Sequence, residues 1–308
     1  MPAVMIDSML DDAARRAALY RGDLFVYSRR PSIMAFVEMA REMVEAAFAP
    51  LNPLTAQYEM PVEDYAALLA RLKPAFIHDP RCKDLIPGIL ADLGCDPDET
   101  YFDLPRMRSS TSDDYLTTGI AYAFHPHRDT WYSAAPSQIN WWMPVYDITR
   151  DNGMAFHPHY FDRSVKNNSE DYDYYVWNQK YRAGAAAHVK ADTRVQPKPQ
   201  EPMDLEPDIR VVSQPGGIMA FSAAQMHSSL PNRSGYTRFS IDFRVVNIRD
   251  VEARAGAPNV DSRCTGTALR DFLRCRDLER VPEALAGLYD EGAHKDEGTL
   301  IFQPATAG

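Results

Sequence analysis

Near residue 100 the hydrophobic pattern of this chain changes period, and that change limits the folds open to it. Before it the spacing is helical. Pro31 opens a stretch in which Ile33, Phe36, Val37, Met39, Ala40, Met43, Val44 and Phe48 recur on one face, predicting a helix over 32–49. Further helices are expected over 9–20, capped by Ser8 or Asp7, over 62–77 after Pro61, and over 82–93 ending at Gly94. From about 100 the runs are short, aromatic or alternating, with turn residues between them. Strands are expected in Thr100 to Leu104, Gly119 to Phe124 and Ser137 to Val145, and near 153–157, 209–213, 217–222 and 237–247. Helix returns over 265–289. Strands gathered between two helical ends predict an α+β chain in one domain: a mainly helical layer over 1–99, a β core over 100–250 and C-terminal helices over 251–308. Residues 195–208, with Pro197, Pro199, Pro202 and Pro207, read as a loop closing an insertion of the core at about 160–208.

Several partners are disfavoured at once. A net charge of -10, with no long basic patch, argues against nucleic acid and anionic membrane. No run approaches 18 apolar residues, and Met1 to Asp12 lacks the basic and apolar regions of a signal peptide. Cys82, Cys95, Cys264 and Cys275 form no CxxC pair, which suits a reduced, cytoplasmic setting. A small molecule is the expected partner, and the oligomeric state, a homodimer included, is left open.

The chemistry centres on His127-Arg128-Asp129 and on His227, 100 residues further on. On a strand, residues two apart share a face. His127 and Asp129 would then aim an imidazole nitrogen and a carboxylate oxygen at one point, and His227 from a paired strand would complete three ligands. Two histidines and one carboxylate leave half of an octahedral metal open, an arrangement associated with non-haem iron(II) oxygenases. Eleven residues past His227 stands Arg238, followed by Ser240 on the same face. A guanidinium fork and a hydroxyl suit the distal carboxylate of a keto acid. Arg244, further along that face, competes with Arg238 for the role.

These residues resemble the iron(II)- and 2-oxoglutarate-dependent dioxygenases, and more narrowly the phytanoyl-CoA dioxygenase superfamily. The resemblance spans roughly 119–247. It rests on His127-x-Asp129, on Asp151-Asn152-Gly153 and the residues to His159, on Pro215-Gly216-Gly217, and most specifically on His227-Ser228-Ser229-Leu230-Pro231-Asn232-Arg233-Ser234 followed by Arg238. It implies a double-stranded β-helix (jelly-roll, cupin-like) core with flanking helices, Fe(II) held by His127, Asp129 and His227, 2-oxoglutarate as co-substrate, and O2. The expected reaction is oxidation of a C–H bond of a small polar metabolite with release of succinate and CO2. Where the superfamily has a Pro-Gly-Ser-His-like segment this chain reads His157-Pro158-His159-Tyr160, and no basic cluster suits a coenzyme A thioester. The run from Trp131 to Trp142 is closer to specialised-metabolite branches, including antibiotic-like biosynthesis. Halogenating relatives lack the carboxylate, so Asp129 implies hydroxylation, desaturation or ring closure.

Other candidates follow from alternation and position. Gln138 or Asn140 can orient the second carboxylate of 2-oxoglutarate or be satisfied by backbone. Trp131 can wall a pocket or sit in the core. His157 and His159 are candidate substrate contacts, and His125 is a weaker candidate ligand. Tyr175 and Trp177, in the aromatic run from Tyr172 to Arg182, can belong to a lid over the site, to a helix packed on the barrel, or to a dimer contact. Two other classes stand beside the oxygenase: a cupin-like metal enzyme that does not use 2-oxoglutarate, and a non-enzymatic jelly-roll binding module. A binder has no need of His127, Asp129, His227 and Arg238 together.

Overall fold

The computed structural model of the protein describes residues 2–117, 125–181, 194 and 196–290. The expected strand over Gly119 to Phe124 lies outside them. The N-terminal part carries strands β1 (Val4–Ile6) and β2 (Leu24–Tyr27) and helices α1 (Asp12–Leu19), α2 (Pro31–Phe48), α3 (Val62–Ile77) and α4 (Arg81–Asp92). Next come β3 (Thr100–Phe102), β4 (Arg106–Ser110), β5 (Ile139–Pro144), β6 (Met154–Phe156), the short α5 (Tyr174–Val176), β7 (Ile209–Val211), β8 (Ile218–Ser222), β9 (His227–Ser229) and β10 (Arg238–Asn247). The C-terminal part holds α6 (Ile248–Glu252), β11 (Leu273–Arg274) and α7 (Glu283–Ala286).

This is a mixed α+β structure with two sheets. The larger runs β1-β2-β8-β5-β10-β3-β11, with β4 also on β10; the smaller runs β7-β6-β9. The ten residues of β10 form the spine of the larger sheet. One edge pairs antiparallel with β5, and the other pairs with β4 over Arg238 to Asp242 and with β3 over Val245 to Asn247. Period-two alternation sorts its side chains. Phe239, Ile241, Phe243 and Val245 are buried against a helical layer that includes Phe36 and Phe48 of α2, Tyr65 of α3 and Ile86 of α4. Arg238, Ser240, Asp242 and Arg244 occupy the opposite face. There, Trp142, Met219 and Phe221 from the larger sheet pack with Met154, Phe156 and Val211 from the smaller one. A charged strip thus runs along the inner face between the sheets.

Local chemistry sets the helix ends. Asp11 caps α1, its carboxylate accepting from Ala14 N at 2.7 Å, so the helix begins later than a cap at Asp7 or Ser8 would give. Asp7 instead accepts from the backbone and hydroxyl of Ser28. Gly94 follows α4 at φ +78°, a conformation that a Cβ would strain. Two expectations need correction. The first hundred residues are not helical throughout, because β1 and β2 extend the larger sheet through β8. Residues 265–289 do not form one helix: a 3-10 turn at Ala268–Asp271, β11, α7 and a second 3-10 turn at Gly287–Tyr289 replace it. Arg274 and Asp277 pair there, and Tyr174 and Tyr175 fasten the segment to α5 through Asp271 and Asp290.

No helix among the described residues is long and apolar enough to cross a membrane. All four cysteines are free thiols. Burial pushes Cys82 and Cys275 up to about 12 and Cys95 to about 11, far from the thiolate range at neutral pH. Native protein is therefore expected to react promptly with an aromatic disulfide reagent at no more than one position, the half-buried Cys264, and at four in denaturant. Prompt release of three or four equivalents from folded protein would contradict this packing.

Candidate metal centre

His127 and His227 face each other directly. Each backbone N–H donates to the other's carbonyl, at 2.9 Å from His127 and 3.0 Å from His227, an antiparallel bridge at the open edge of β9. The imidazole centroids are 4.3 Å apart. Each ring fixes its own tautomer. His127 Nδ1 lies 2.8 Å from the carbonyl of His125, and His227 Nδ1 lies 2.9 Å from that of Gln225. A carbonyl only accepts, so both Nδ1 atoms carry hydrogen, which leaves each Nε2 as the ring nitrogen turned toward Asp129. Asp129 Oδ1 sits 3.4 Å from one Nε2 and 3.9 Å from the other. The three ligand atoms all lie within 4.8 Å of one another.

The route to this face differs from a plain strand. His127 is in the bridge, but Asp129 opens a 3-10 turn over Asp129–Tyr132. The chain curls after Arg128, and that curl brings the carboxylate back beneath the imidazole.

Electrostatics favours a cation at this point. Burial opposes the charge on Asp129, but the imidazole of His127, with His227 and Arg244, outweighs it and holds the carboxyl far below the usual range. Burial, with His127 alongside, pulls His227 down to about 4, so it is neutral at pH 7. Two Nε2 atoms and a carboxylate oxygen converge, and both Nδ1 hydrogens are committed to backbone carbonyls. That donor set, two imidazoles and one carboxylate in a partly dry site, fits a divalent first-row metal such as iron(II).

Arg238 and Ser240 share the inner face of β10, as alternation predicts. Arg238 is 6% exposed. Its Nη1 donates to the carbonyls of Asn152 and Gly153 at 3.3 and 3.1 Å, and its guanidinium lies 5.8 Å from the centre of the Trp142 ring. Its Nε and the Ser240 hydroxyl are buried with no hydrogen-bond partner among the described residues. Such orphans typically cost about 1–3 kcal/mol each. A bound carboxylate would satisfy both. Asn140 Nδ2 is a third orphan, while its Oδ1 accepts from Gln138 at 3.0 Å. Gln138 is thus tied to Asn140. Arg244, cross-strand from Asn140, donates to Asp103 at 3.1 Å and approaches Asp129 Oδ2 at 3.9 Å. Its Nε, like that of Arg238, has no hydrogen-bond partner among the described residues, but Arg244 stands beside two carboxylates, whereas no ion pair of Arg238 is found among the described residues.

The remaining candidates separate clearly. His125 Nε2 is 2.8 Å from the carbonyl of Pro197, so it is not one of the converging ligands. Trp131 is completely buried among Tyr160, Val165 and Met226, a core position rather than a pocket wall. His157 has both nitrogens occupied, by the carbonyl of Leu205 and the hydroxyl of Ser228, each at 3.0 Å. His159 is exposed and bonded to the carbonyl of Asp204. Both histidines bond to the 204–205 loop. Tyr175 is buried against Asp290 and Arg270. Trp177 is tilted against Tyr172, which meets Tyr132, which meets His127, with centroid separations of 5.7, 5.2 and 5.6 Å. Two rings, Tyr172 and Tyr132, therefore lie between Trp177 and His127. Arg128, Asp261 and the Asp103–Arg244 pair also surround the centre. Asp103 and Asp261 carry no sequence signal, Arg128 is marked only by lying between His127 and Asp129, and Arg244 is expected on this face as a competitor of Arg238.

No family model matches the chain, and no curated protein does. Among solved structures, EvdO2 from Micromonospora carbonacea var. aurantiaca, complexed with 2-oxoglutarate, is 14% identical over 78% of this chain and 92% of its own, with a TM-score of 0.45. AviO1 from Streptomyces viridochromogenes Tue57 is 14% identical over 78% and 96%, with a TM-score of 0.39. The epimerase SnoN, in complex with Fe3+, alpha ketoglutarate and nogalamycin RO, is 17% identical over 77% and 85%, with a TM-score of 0.37. The similarity is remote in each case.

Proposed function

We propose that this chain is a non-haem iron(II), 2-oxoglutarate-dependent oxygenase with a double-stranded β-helix core, acting on a C–H bond of a small polar metabolite. One observation carries the reading. Two imidazole Nε2 atoms and a carboxylate converge, each ring held by its Nδ1 on a backbone carbonyl, and a buried guanidinium Nε and a hydroxyl on β10 have no hydrogen-bond partner among the described residues.

His127, Asp129 and His227 would hold iron(II). Bound there, it supplies O2 activation coupled to oxidative decarboxylation of the keto acid to succinate and CO2. The chain's own residues do the rest. Arg238 Nε–H and the Ser240 hydroxyl donate to the distal carboxylate of 2-oxoglutarate. Asn140 Nδ2, steadied by Gln138, is the donor for the carboxylate next to the ketone. Arg244 keeps Asp129 ionised and directed. Phe221 and Phe156 pack on the His227 ring at 5.0 and 6.2 Å and exclude water from that side.

The test is anaerobic. Metal-free protein receives iron(II), then 2-oxoglutarate, and the weak visible charge-transfer band of the chelated keto acid is recorded. The expected result is a band that saturates at one equivalent of each. Iron uptake without a band would replace the reading with a cupin-like metal enzyme that does not use 2-oxoglutarate. No iron uptake would remove it altogether. With the band in hand, succinate release stimulated by amine- or sugar-bearing candidates tests the substrate class; stimulation by apolar acyl compounds alone would refute it.

A further inference from the structure

We infer that Arg128, the residue between two of the metal ligands, is a positioning residue. With Asp261 and Trp131 it brackets the turn carrying Asp129 and joins that turn to the segment leading into His227. The inference rests on the metal reading above.

The geometry is unusually complete. Arg128 is 1% exposed, yet its guanidinium has five N–H donors to satisfy. It has five acceptors. Nε donates to Asp261 Oδ2 at 3.2 Å. Nη1 donates to the carbonyls of Ala224 at 2.6 Å and Phe161 at 3.4 Å. Nη2 donates to those of Arg163, at 2.8 Å, and Tyr160. Asp261 neutralises the buried charge, and it also accepts from Trp131 Nε1 at 2.7 Å and from Val165 N at 3.0 Å. Arg128 and Trp131 stand on either side of Asp129 and Thr130, and both end on the same carboxylate. The turn is pinned at both ends.

The second tie explains why this bears on the metal. Ala224, whose carbonyl accepts from Arg128 Nη1 at 2.6 Å, lies three residues before His227. Thr130 N reinforces the link by donating to Ala223 O at 3.3 Å. One side chain therefore sets the spacing between the ligand pair at 127 and 129 and the ligand at 227. Lysine has three donors radiating from a single atom, and it cannot span five acceptors on three segments as a planar fork does.

The experiment is a cobalt(II) titration of metal-free protein, followed by visible absorption, on the parent, Arg128→Lys, Asp261→Asn and Trp131→Phe. Ile86→Ala, in the helical layer away from the centre, serves as a variant that loses stability only. Loss of the groups that orient metal ligands typically weakens metal affinity about 10–100-fold. The expected result is that each bracket variant binds cobalt(II) at least ~10-fold more weakly, with a shifted band, while Ile86→Ala melts earlier and keeps the parent's affinity and spectrum. Bracket variants that match the parent in both would overturn the inference and leave the metal reading standing. A parent that takes up no cobalt(II) would overturn the metal reading, and the inference with it. Should Arg128→Lys not fold, Trp131→Phe decides, because it removes one N–H from the bracket and leaves the ion pair in place.

Discussion

His227→Gln is expected to lose tight iron(II) binding, and keto-acid turnover is expected to fall by more than ~100-fold. Loss of an outer partner of a metal ligand already costs roughly 10–100-fold, and here a ligand itself is removed. Glutamine keeps a polar group of similar reach but cannot reproduce the imidazole's fixed lone pair. His227 Nδ1 is tied to Gln225, which aims Nε2 at Asp129, and no such tie exists for a flexible amide. The backbone bridge to His127 does not depend on the side chain, so the variant should retain its secondary structure by circular dichroism. Bound iron, measured by chelator release after gel filtration, is the direct readout. A variant that still carries one equivalent of iron would mean the metal sits elsewhere.

The second large effect concerns Arg238. Arg238→Met is expected to raise the KM for 2-oxoglutarate by roughly 30-fold or more, since truncating one partner of a buried, hydrogen-bonded charge pair costs about 2–5 kcal/mol. Turnover at saturating keto acid should be far less affected, because the distal carboxylate lies away from the reacting atoms. The unliganded protein should respond in the opposite sense. Burial, with Arg108 nearby, pulls the Arg238 guanidinium down to about 10, so the folded chain bears its charge at a penalty. Removing that charge should leave the apo-protein as stable as before or slightly more stable, as read by urea denaturation. A charge that costs the fold and serves co-substrate binding would be placed for function. An unchanged KM would return the role to another cation.

Much of the site was legible because it depends on identity and alternation. Arg238 and Ser240 fall on one face for the same reason that Phe239 and Ile241 fall on the other. His127 and His227 were recognisable by type and company, although the strand expected to carry both His127 and Asp129 is in fact a bridge followed by a turn. The helices over α2, α3 and α4 were readable from apolar spacing within a residue or two. Other elements left weaker traces. β4 reads Arg-Met-Arg-Ser-Ser and shows little apolar content, because its inner face meets Asp242 through Arg108. β2 is only four residues long, and its partner β8 lies almost 200 residues away in sequence. Alternatives for Trp131 and His157 stayed open for a common reason. Sequence indicates that an indole or imidazole stands near a motif, but their partners, Asp261 and Leu205, come from distant segments.

The pairing of His127 with His227 has a consequence for how the chain comes together. A metal held by both would act as a clasp on a loop of about 100 residues, and closing such a loop is entropically unfavourable by an amount that grows only slowly with its length. The binding energy of the metal would therefore be spent partly on holding the two halves of the β region in register. A chain that has formed its helical layer but not this closure has no site for metal. Metal uptake would then report how far folding has advanced, and scarcity of iron would leave the bridge as the long-range contact with the least to hold it shut.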